Sequence, residues 1–169
     1  MKEIDELYDQ VIVLKRNEFL KIGGTIDTNI YLVKNGSLKI YILDQENEHI
    51  IRFGYDQDLV VSLDSFLTEQ ASDFFIQALK KTVIHRISKN KFVEFINENE
   101  KNKRIWISIL ERLILQQLER EIDLLTTSPK ERYNRILKRS PSLFQKISNK
   151  QIANYLRMTP ETLSRLKKA

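Results

Sequence analysis

ISNKQIANYLRMTPETLSRLKK, at residues 147–168, predicts two short helices joined by a tight turn. Ser148 and Gln151 form the capping-box pattern that begins a helix, because each side chain can bond the other's backbone amide. Arg157-Met158 is the predicted turn. Thr159-Pro160 begins the second helix, since Thr is a good N-cap and Pro needs no amide donor at the first helical position.

The outward face of the second helix carries side chains that can read DNA. Glu161, Ser164, Arg165 and Lys168 fall at positions i, i+3, i+4 and i+7, so they share one face. In a major groove, Arg can bond guanine through two hydrogen bonds and Glu can accept one from cytosine. The alternative is an amphipathic hairpin with an ordinary solvated face, because short patterns of this kind also arise by accident.

The charge of the chain is unevenly distributed. Residues 127–169 hold 11 Lys and Arg against 2 Asp and Glu, a net charge of +9, whereas residues 1–126 carry −4. A basic segment that contains a helix-turn-helix is typical of nucleic-acid binding. We therefore expect double-stranded DNA to be a partner.

The composition excludes several functions. The sequence has no cysteine, so disulfides, thiolate metal sites and cysteine nucleophiles are excluded. The two histidines, His49 and His85, fall on different predicted strands, which argues against a metal-dependent enzyme of the cupin kind. We expect no enzyme activity, no metal and no cofactor. No signal peptide opens the chain and no apolar run reaches the ~18 residues of a membrane span, so a cytoplasmic protein is expected.

The first 90 residues predict a β structure. Alternating apolar residues bounded by turn residues predict strands at 11–14, 18–22, 30–33, 38–43, 49–53, 74–79 and 82–87. Asn35-Gly36 lies between two of these strands and predicts a hairpin. Many short strands at regular spacing favour a β-barrel or sandwich of about 75 residues.

Helical periodicity replaces the β pattern from Ser88, which is the predicted cap of a short helix over 89–97. A long helix follows over 100–125, and Ser128-Pro129 begins another that ends near Arg139. Apolar residues at helical spacing form a stripe along the long helix. This apolar stripe is too wide to pack on one neighbour, so we expect a homodimer; the alternative is a helix buried within a monomer. The predicted dimer contacts are Trp106, Leu110, Leu113, Ile114 and Leu118.

The order of these parts resembles the CRP/FNR family of bacterial transcription regulators, in the form common in Bacteroidetes-type genomes. YLVKNGSLKIYI (31–42), SPKERYNRIL (128–137) and ISNKQIANYLRMTPETLSRLKK (147–168) carry the resemblance. It implies an α+β fold with three parts. These are a cyclic-nucleotide-binding-like β-roll (1–97), a dimerisation helix (98–126) and a helix-turn-helix domain (127–169). Its wing is expected to be absent or truncated, because the chain ends at Ala169.

The resemblance also implies a function. A CRP/FNR regulator is a homodimer that binds an inverted-repeat operator, with RNA polymerase as a further partner. Glu161, Ser164 and Arg165 match the family's E-x-x-S-R pattern and are the expected base-reading residues. Phosphate contacts and positioning are expected from Lys150, Gln151, Arg157, Thr159, Thr162, Lys167 and Lys168. Arg157 stands where the family usually has Gly, so a left-handed conformation is expected there.

The family's ligand signature is missing. Cyclic-nucleotide binders carry Gly-Glu followed by an Arg, and Val60-Val61-Ser62 and Ala71-Ser72-Asp73 stand at these places. We therefore predict that cyclic AMP does not bind. Another small-molecule effector remains open, with Ser62, Asp64, Ser65 and Asp73 as its candidate pocket. The alternative function is a small-molecule-sensing β-roll module with weak or vestigial DNA binding.

Overall fold

The computed structural model describes residues 2–168 and divides the chain into two compact units, residues 1–99 and 100–169. Met1 and Ala169, the first and last residues of the predicted domains, lie outside the described residues. The expected absence of a wing depends on Ala169, so it also concerns a part of the chain outside the described residues. Among the helices of residues 2–168, none is long and apolar enough to cross a membrane. The same residues contain no cluster of His, Cys, Asp and Glu that could hold a metal ion.

Short strands make up most of the first unit. They are β1 (Gln10–Leu14), β2 (Phe19–Lys21), β3 (Ile30–Asn35), β4 (Ser37–Asp44), β5 (Asn47–Tyr55), β6 (Leu59–Val61), β7 (Phe75–Ala78) and β8 (Thr82–Ile87). Its helices are α1 (Lys2–Asp5), α2 (Leu63–Thr68) and α3 (Lys89–Glu98). The sequence pattern did not predict β6 or α2, because each is a single short element inside a mainly polar connection.

The strands form two antiparallel sheets of four, in the orders β1-β8-β3-β6 and β2-β7-β4-β5. Their inner faces enclose an apolar core. Its members are Leu14, Tyr31, Val33, Leu38, Ile40, Val60, Ile76, Ala78 and Ile84. Burying one Val, Leu or Ile contributes about 1.5–3 kcal/mol, so this core is the main source of the unit's stability. The predicted β-roll is confirmed.

The predicted hairpin at Asn35-Gly36 is wrong. β3 and β4, which flank this dipeptide, pair with strands of different sheets. Gly36 has a φ of 112°, and a Cβ there would lie 2.6 Å from the Cα of Thr82. The hydroxyl of Thr82 also accepts a hydrogen bond from the amide of Ser37, at 3.1 Å. Asn-Gly therefore forms a corner between sheets, which needs the same positive φ as a hairpin turn.

Helices make up the second unit. They are α4 (Glu100–Leu125), α5 (Pro129–Arg139), α6 (Leu143–Lys146), α7 (Asn149–Tyr155) and α8 (Pro160–Leu166). The predicted bounds of α4 are confirmed, and α8 ends two residues before Lys168. Ser128 caps α5 by accepting a hydrogen bond from the amide of Glu131, as predicted.

Two other predicted caps differ from the structure. Ser148 and Ser88 occupy the N-cap positions of α7 and α3, but neither side chain makes a capping hydrogen bond. The predicted capping box of Ser148 and Gln151 is therefore wrong. The N-cap positions are nevertheless right, because both serines have the extended backbone that precedes a helix.

Candidate nucleic-acid interface

The α7–α8 hairpin packs around a small apolar core. Ile152, Leu156 and Leu163 have no exposed surface. The amide of Met158 donates to the carbonyl of Ala153 at 3.0 Å and closes the end of α7. Arg157 has a φ of 54°, so the predicted left-handed conformation in the turn is confirmed. This geometry fixes α8 against α7 and leaves one side of α8 in solvent.

The three expected base-reading side chains lie together on the solvent side of α8. Glu161, Ser164 and Arg165 are all exposed, which confirms their predicted outward placement. The pKa of Glu161 is lowered, first by its own backbone amide and then by the hydroxyl of Thr159 and the charge of Arg165. The carboxylate is therefore ionised at neutral pH and available as a hydrogen-bond acceptor beside a guanidinium donor.

The expected phosphate-contacting residues fall into two groups. Lys150, Arg157 and Lys168 are exposed on the hairpin. Thr159 and Lys167 are exposed too, and their side chains take part in hydrogen bonds of the hairpin itself. The hydroxyl of Thr159 accepts from the amide of Thr162 at 3.2 Å, which caps α8.

Lys167 joins the end of α8 to the start of α7. Its ammonium donates to the side-chain oxygen of Asn149 at 2.8 Å and lies 5.6 Å from the ring centre of Phe144. Gln151 is half-buried on α7. A phosphate contact from Lys167 would therefore share its ammonium with Asn149.

Ion pairs hold α5 against α4. Asp123 of α4 is fully buried and accepts from Arg135 at 2.9 Å and from Arg139. Both arginines also donate to Glu119, at 2.7 and 3.0 Å. Burial alone would lower the pKa of Arg139, but its bonds to Asp123 outweigh burial and raise that pKa. These arginines stabilise the unit, so they are not free to contact DNA.

Two buried arginines, Arg120 and Arg132, were not predicted from the sequence. Arg120 donates to the carbonyl of Tyr155 and stacks on its ring, and Arg132 donates to the carbonyls of Leu156 and Arg157. The available signal was helical spacing, since Arg132 precedes the buried Ile136 by four residues and so lies on the inward face of α5.

An apolar stripe runs along the exposed side of α4. Of the predicted dimer contacts, Ile114 is 60% and Leu118 50% exposed, whereas Trp106, Leu110 and Leu113 are half-buried. Other apolar side chains of α4 are also exposed, namely Ile107, Leu115, Ile122, Leu124 and Leu125. So many exposed apolar side chains on one helix are unusual on a monomer and typical of a protein interface.

The candidate effector residues lie in the first unit, around α2. The hydroxyl of Ser62 bonds the carboxylate of Asp64 and the hydroxyl of Ser72, each at 3.0 Å. Ser65 accepts from the amide of Asp27 at 2.9 Å and donates to the carbonyl of Gln70 at 2.7 Å. The structure therefore brings Ser62 and Asp64 together and gives Ser65 different partners. Asp73 is exposed.

Lys21 is a buried cation beside this group. Its ammonium donates to the carbonyls of Ile22, Ser72 and Phe74, at 3.2, 2.9 and 2.9 Å. Burial lowers the pKa of Lys21, and the carboxylates of Asp27, Asp64 and Asp73 act in the opposite direction. All three donors of this ammonium are thus used by the protein's own backbone.

Comparison with known proteins assigns a family to the first unit. The sequence profile of the cyclic nucleotide-binding domain matches residues 11–99. No curated protein matches the chain at a significant level.

Solved structures resemble the chain over nearly all its length. FixK2 from Bradyrhizobium japonicum matches with a TM-score of 0.78 at 14% identity, over 94% of this chain and 82% of its own. A CooA mutant from Carboxydothermus hydrogenoformans matches with a TM-score of 0.74 at 17% identity, over 98% and 77%. The catabolite activator protein of Thermus thermophilus matches with a TM-score of 0.60 at 19% identity, over 99% and 81%. At these identities the likeness shows that the fold is that of CRP/FNR regulators.

Proposed function

We propose a function from the premise that this chain belongs to the cyclic nucleotide-binding domain family, whose profile matches residues 11–99. The chain acts as a homodimeric, sequence-specific DNA-binding transcription regulator of the CRP/FNR type. Its three functional parts are the β-roll at 1–97, the dimerisation helix at 98–126 and the DNA-binding domain at 127–169. Its operator is an inverted repeat, and it acts in the cytoplasm, with RNA polymerase as a further partner.

One observation carries this proposal, namely the exposed triad on α8. Glu161, Ser164 and Arg165 project from one face of a helix that begins with a capped N-terminus. The surrounding segment, residues 127–169, has a net charge of +9, which attracts the phosphate backbone. Arg165 is suited to guanine and Glu161 to cytosine, so the triad can read base edges once phosphate contacts fix its register.

The exposed apolar stripe on α4 is the proposed contact surface for the second copy of the chain. Ile114, Leu118 and Leu125 are exposed by 60, 50 and 74%, so a partner helix that covers them would remove apolar surface from water. A dimer about a two-fold axis would present two α8 helices to successive major grooves, ~34 Å apart. The two-fold symmetry explains why an inverted repeat is the expected operator, and the distance between the helices sets the spacing of its half-sites.

The β-roll does not fit a cyclic nucleotide. A cyclic phosphate needs a cation, but the ammonium of nearby Lys21 is committed to three backbone carbonyls. Ser62 occupies the place of the ribose-binding Glu, and its hydroxyl bonds Asp64 and Ser72. The nearby carboxylates of Asp64 and Asp73 would repel a phosphate. We therefore propose that the roll is a platform, or the sensor of an effector other than cyclic AMP.

A sensing module with weak DNA binding is the second candidate. The match to the cyclic nucleotide-binding domain over residues 11–99 favours it, because this domain is the ligand-binding part of such proteins. The exposed triad of α8 favours the first candidate, since a vestigial reading helix has no need to keep Arg and Glu outward.

Selection of random double-stranded DNA by the purified protein tests the two candidates. We expect an enriched inverted repeat that binds at least about 10³-fold more tightly than random DNA, with a steep loss of affinity as salt rises. The matched control is Arg165→Ala, which should relax the enriched sequence at one base pair of each half-site and keep most of the salt-dependent binding. Weak, sequence-independent binding by the wild type would favour the sensing module.

A further inference from the structure

Arg132 joins the ends of two helices. Its Nε and Nη2 donate to the carbonyls of Leu156 and Arg157, at 2.8 and 3.1 Å, in the turn after α7. Its Nη1 donates to the carbonyls of Thr126 and Thr127, at 2.6 and 3.0 Å, just beyond α4. One side chain, only 9% exposed, therefore bridges the C-terminus of the long helix and the turn of the DNA-binding hairpin.

A guanidinium is suited to this place for two reasons. The last carbonyls of a helix have no partner within it, and the negative end of the helix dipole favours a cation there. Arg132 meets carbonyls that lie just beyond the C-termini of both α4 and α7. The guanidinium offers five donors in a rigid fork, whereas the three donors of an ammonium share one nitrogen, so a Lys would offer fewer hydrogen bonds and all of them from one point.

Arg120 approaches the same turn from α4. Its Nη2 donates to the carbonyl of Tyr155 at 2.5 Å, and its guanidinium lies 3.8 Å from the ring centre of the same residue. Three consecutive carbonyls, those of Tyr155, Leu156 and Arg157, thus accept from two guanidinium groups. The left-handed conformation of Arg157 is part of this arrangement, because it sets the direction of the last of these carbonyls.

We propose that Arg120 and Arg132 form a guanidinium clamp that sets the direction of α8 relative to α4. They are positioning residues, since they act on DNA recognition through the turn and not by contact with DNA. In a dimer built on α4, this direction determines the distance between the two reading helices, and therefore the half-site spacing that the protein prefers. This last step rests on the proposed function, whereas the clamp itself does not.

Hydrogen exchange of the DNA-free protein tests the clamp. Arg132→Lys keeps the charge and removes the fork, so we expect the amides of Arg157 and Met158 to exchange about tenfold faster or more. Arg135→Lys is the matched control. It weakens bonds between α5 and the carboxylates of α4, at 2.7 and 2.9 Å, without touching the turn. If Arg132→Lys does not fold, Arg120→Lys takes its place in the same comparison.

The hydrogen-exchange result can either support or overturn the proposed clamp. Faster exchange at the turn in Arg132→Lys, with the turn unchanged in Arg135→Lys, supports it. Equal exchange in Arg132→Lys and wild type overturns it, and so does equal acceleration in both variants, which would mean general loosening of the contact between α4 and α5.

Operator libraries with varied spacing between the half-sites test the positioning role. We expect wild type to prefer one spacing and Arg132→Lys to accept neighbouring spacings within about threefold of its best, because the direction of α8 is no longer held. A purely structural role would weaken all spacings equally and would overturn the proposal. If the wild type binds no DNA, the proposed function fails, and the exchange experiment still decides whether the clamp exists.

Discussion

The side-chain oxygens of Ser62 and Ser72 lie 3.0 Å apart, so a direct hydrogen bond joins the residue before α2 to the chain before β7. These two segments are where the resemblance places the ribose-binding and phosphate-binding residues. Their polar groups are here satisfied by each other, by Asp64 and by the carbonyl contacts of Lys21. The arrangement offers a cyclic nucleotide neither the carboxylate of Glu nor a free cation.

The first prediction is that cyclic AMP does not bind. Titration of the purified protein with cyclic AMP in a calorimeter should give no binding isotherm at micromolar concentrations, since a phosphate near Asp64 and Asp73 would meet like charge. Cyclic GMP is the control for a site that accepts another base, and it should behave identically. Measurable micromolar binding of either nucleotide would show that this interpretation of the segment is wrong.

The second prediction concerns sequence reading by Arg165. Arg165→Ala should weaken binding to the selected operator by ~1–3 kcal/mol and relax preference at one base pair of each half-site. Lys168→Ala is the control, because a phosphate contact should weaken all sequences alike and reduce the salt slope by about one. Fluorescence anisotropy at several salt concentrations measures both. An equal loss on operator and random DNA for Arg165→Ala would assign it to phosphate contact.

The third prediction concerns the stripe on α4. The double substitution Ile114→Glu and Leu118→Glu should give monomers in sedimentation velocity, because a dimer would have to bury two charges without partners on each helix. Gln117→Glu, an exposed polar position on the same helix, is the control and should leave the dimer intact. If the double variant sediments as a dimer, the two copies associate through another surface.

The fourth prediction compares two glycines with positive φ. Gly24 has a φ of 79° and no atom within 4 Å of the position that a Cβ would take, whereas a Cβ at Gly36 would lie 2.4 Å from the hydroxyl oxygen of Thr82. Gly24→Ala should cost about 1 kcal/mol from backbone strain alone. Gly36→Ala should cost about 2 kcal/mol more, because the corner must open. Urea unfolding measures both, and equal costs would contradict the role given to the corner.

The fifth prediction is a pH dependence at Asp5. The pKa of Asp5 lies below its ordinary value of 3.8, first because Lys34 donates to the carboxylate at 2.6 Å, and further because His85 bonds it at 3.0 Å. A lowered folded-state pKa contributes stability above the unfolded value, and this contribution is lost as pH falls through the folded value. Asp5→Asn should therefore lower the free energy of unfolding by about 1 kcal/mol at pH 7.

The difference between Asp5→Asn and wild type should begin to shrink as pH falls below about 4, the ordinary pKa of Asp, because the unfolded wild-type chain then binds a proton that the folded carboxylate does not yet bind. It should be lost once the folded carboxyl is protonated as well. Asp44→Asn is the control, since its contact with His49 spans 3.7 Å and its side chain is 75% exposed. If the difference in the free energy of unfolding between Asp5→Asn and wild type stays constant from pH 7 to pH 3, the ionised carboxylate does not contribute to stability as predicted.

Local signals predicted most of the helical unit. Pro129 and Pro160 each follow a residue that caps its helix through its side chain, and both helices begin where expected. The resemblance to the CRP/FNR family, whose members usually have Gly at this position, led to the correct expectation of a left-handed conformation at Arg157. The local signals were weaker at Ser148, whose capping pattern is present but whose hydrogen bond is not formed. A capping pattern predicts the residue at which a helix begins, whereas formation of the capping hydrogen bond depends on the rotamer of the capping side chain.

The sequence by itself determined the elements of this protein, namely most of the short strands, the bounds of α4 and the two helices of the hairpin. These follow from periodicity, capping and turn residues, which act over a few neighbours in the chain. Only the tertiary structure decided that Asn35-Gly36 is a corner, because β3 pairs with β8 and β4 with β7, strands that lie far along the chain from this dipeptide. It alone also brought Arg120 and Arg132 to the carbonyls of Tyr155, Leu156 and Arg157. A polar residue on an inward helix face indicates a buried partner, but the fold decides which backbone group that partner is.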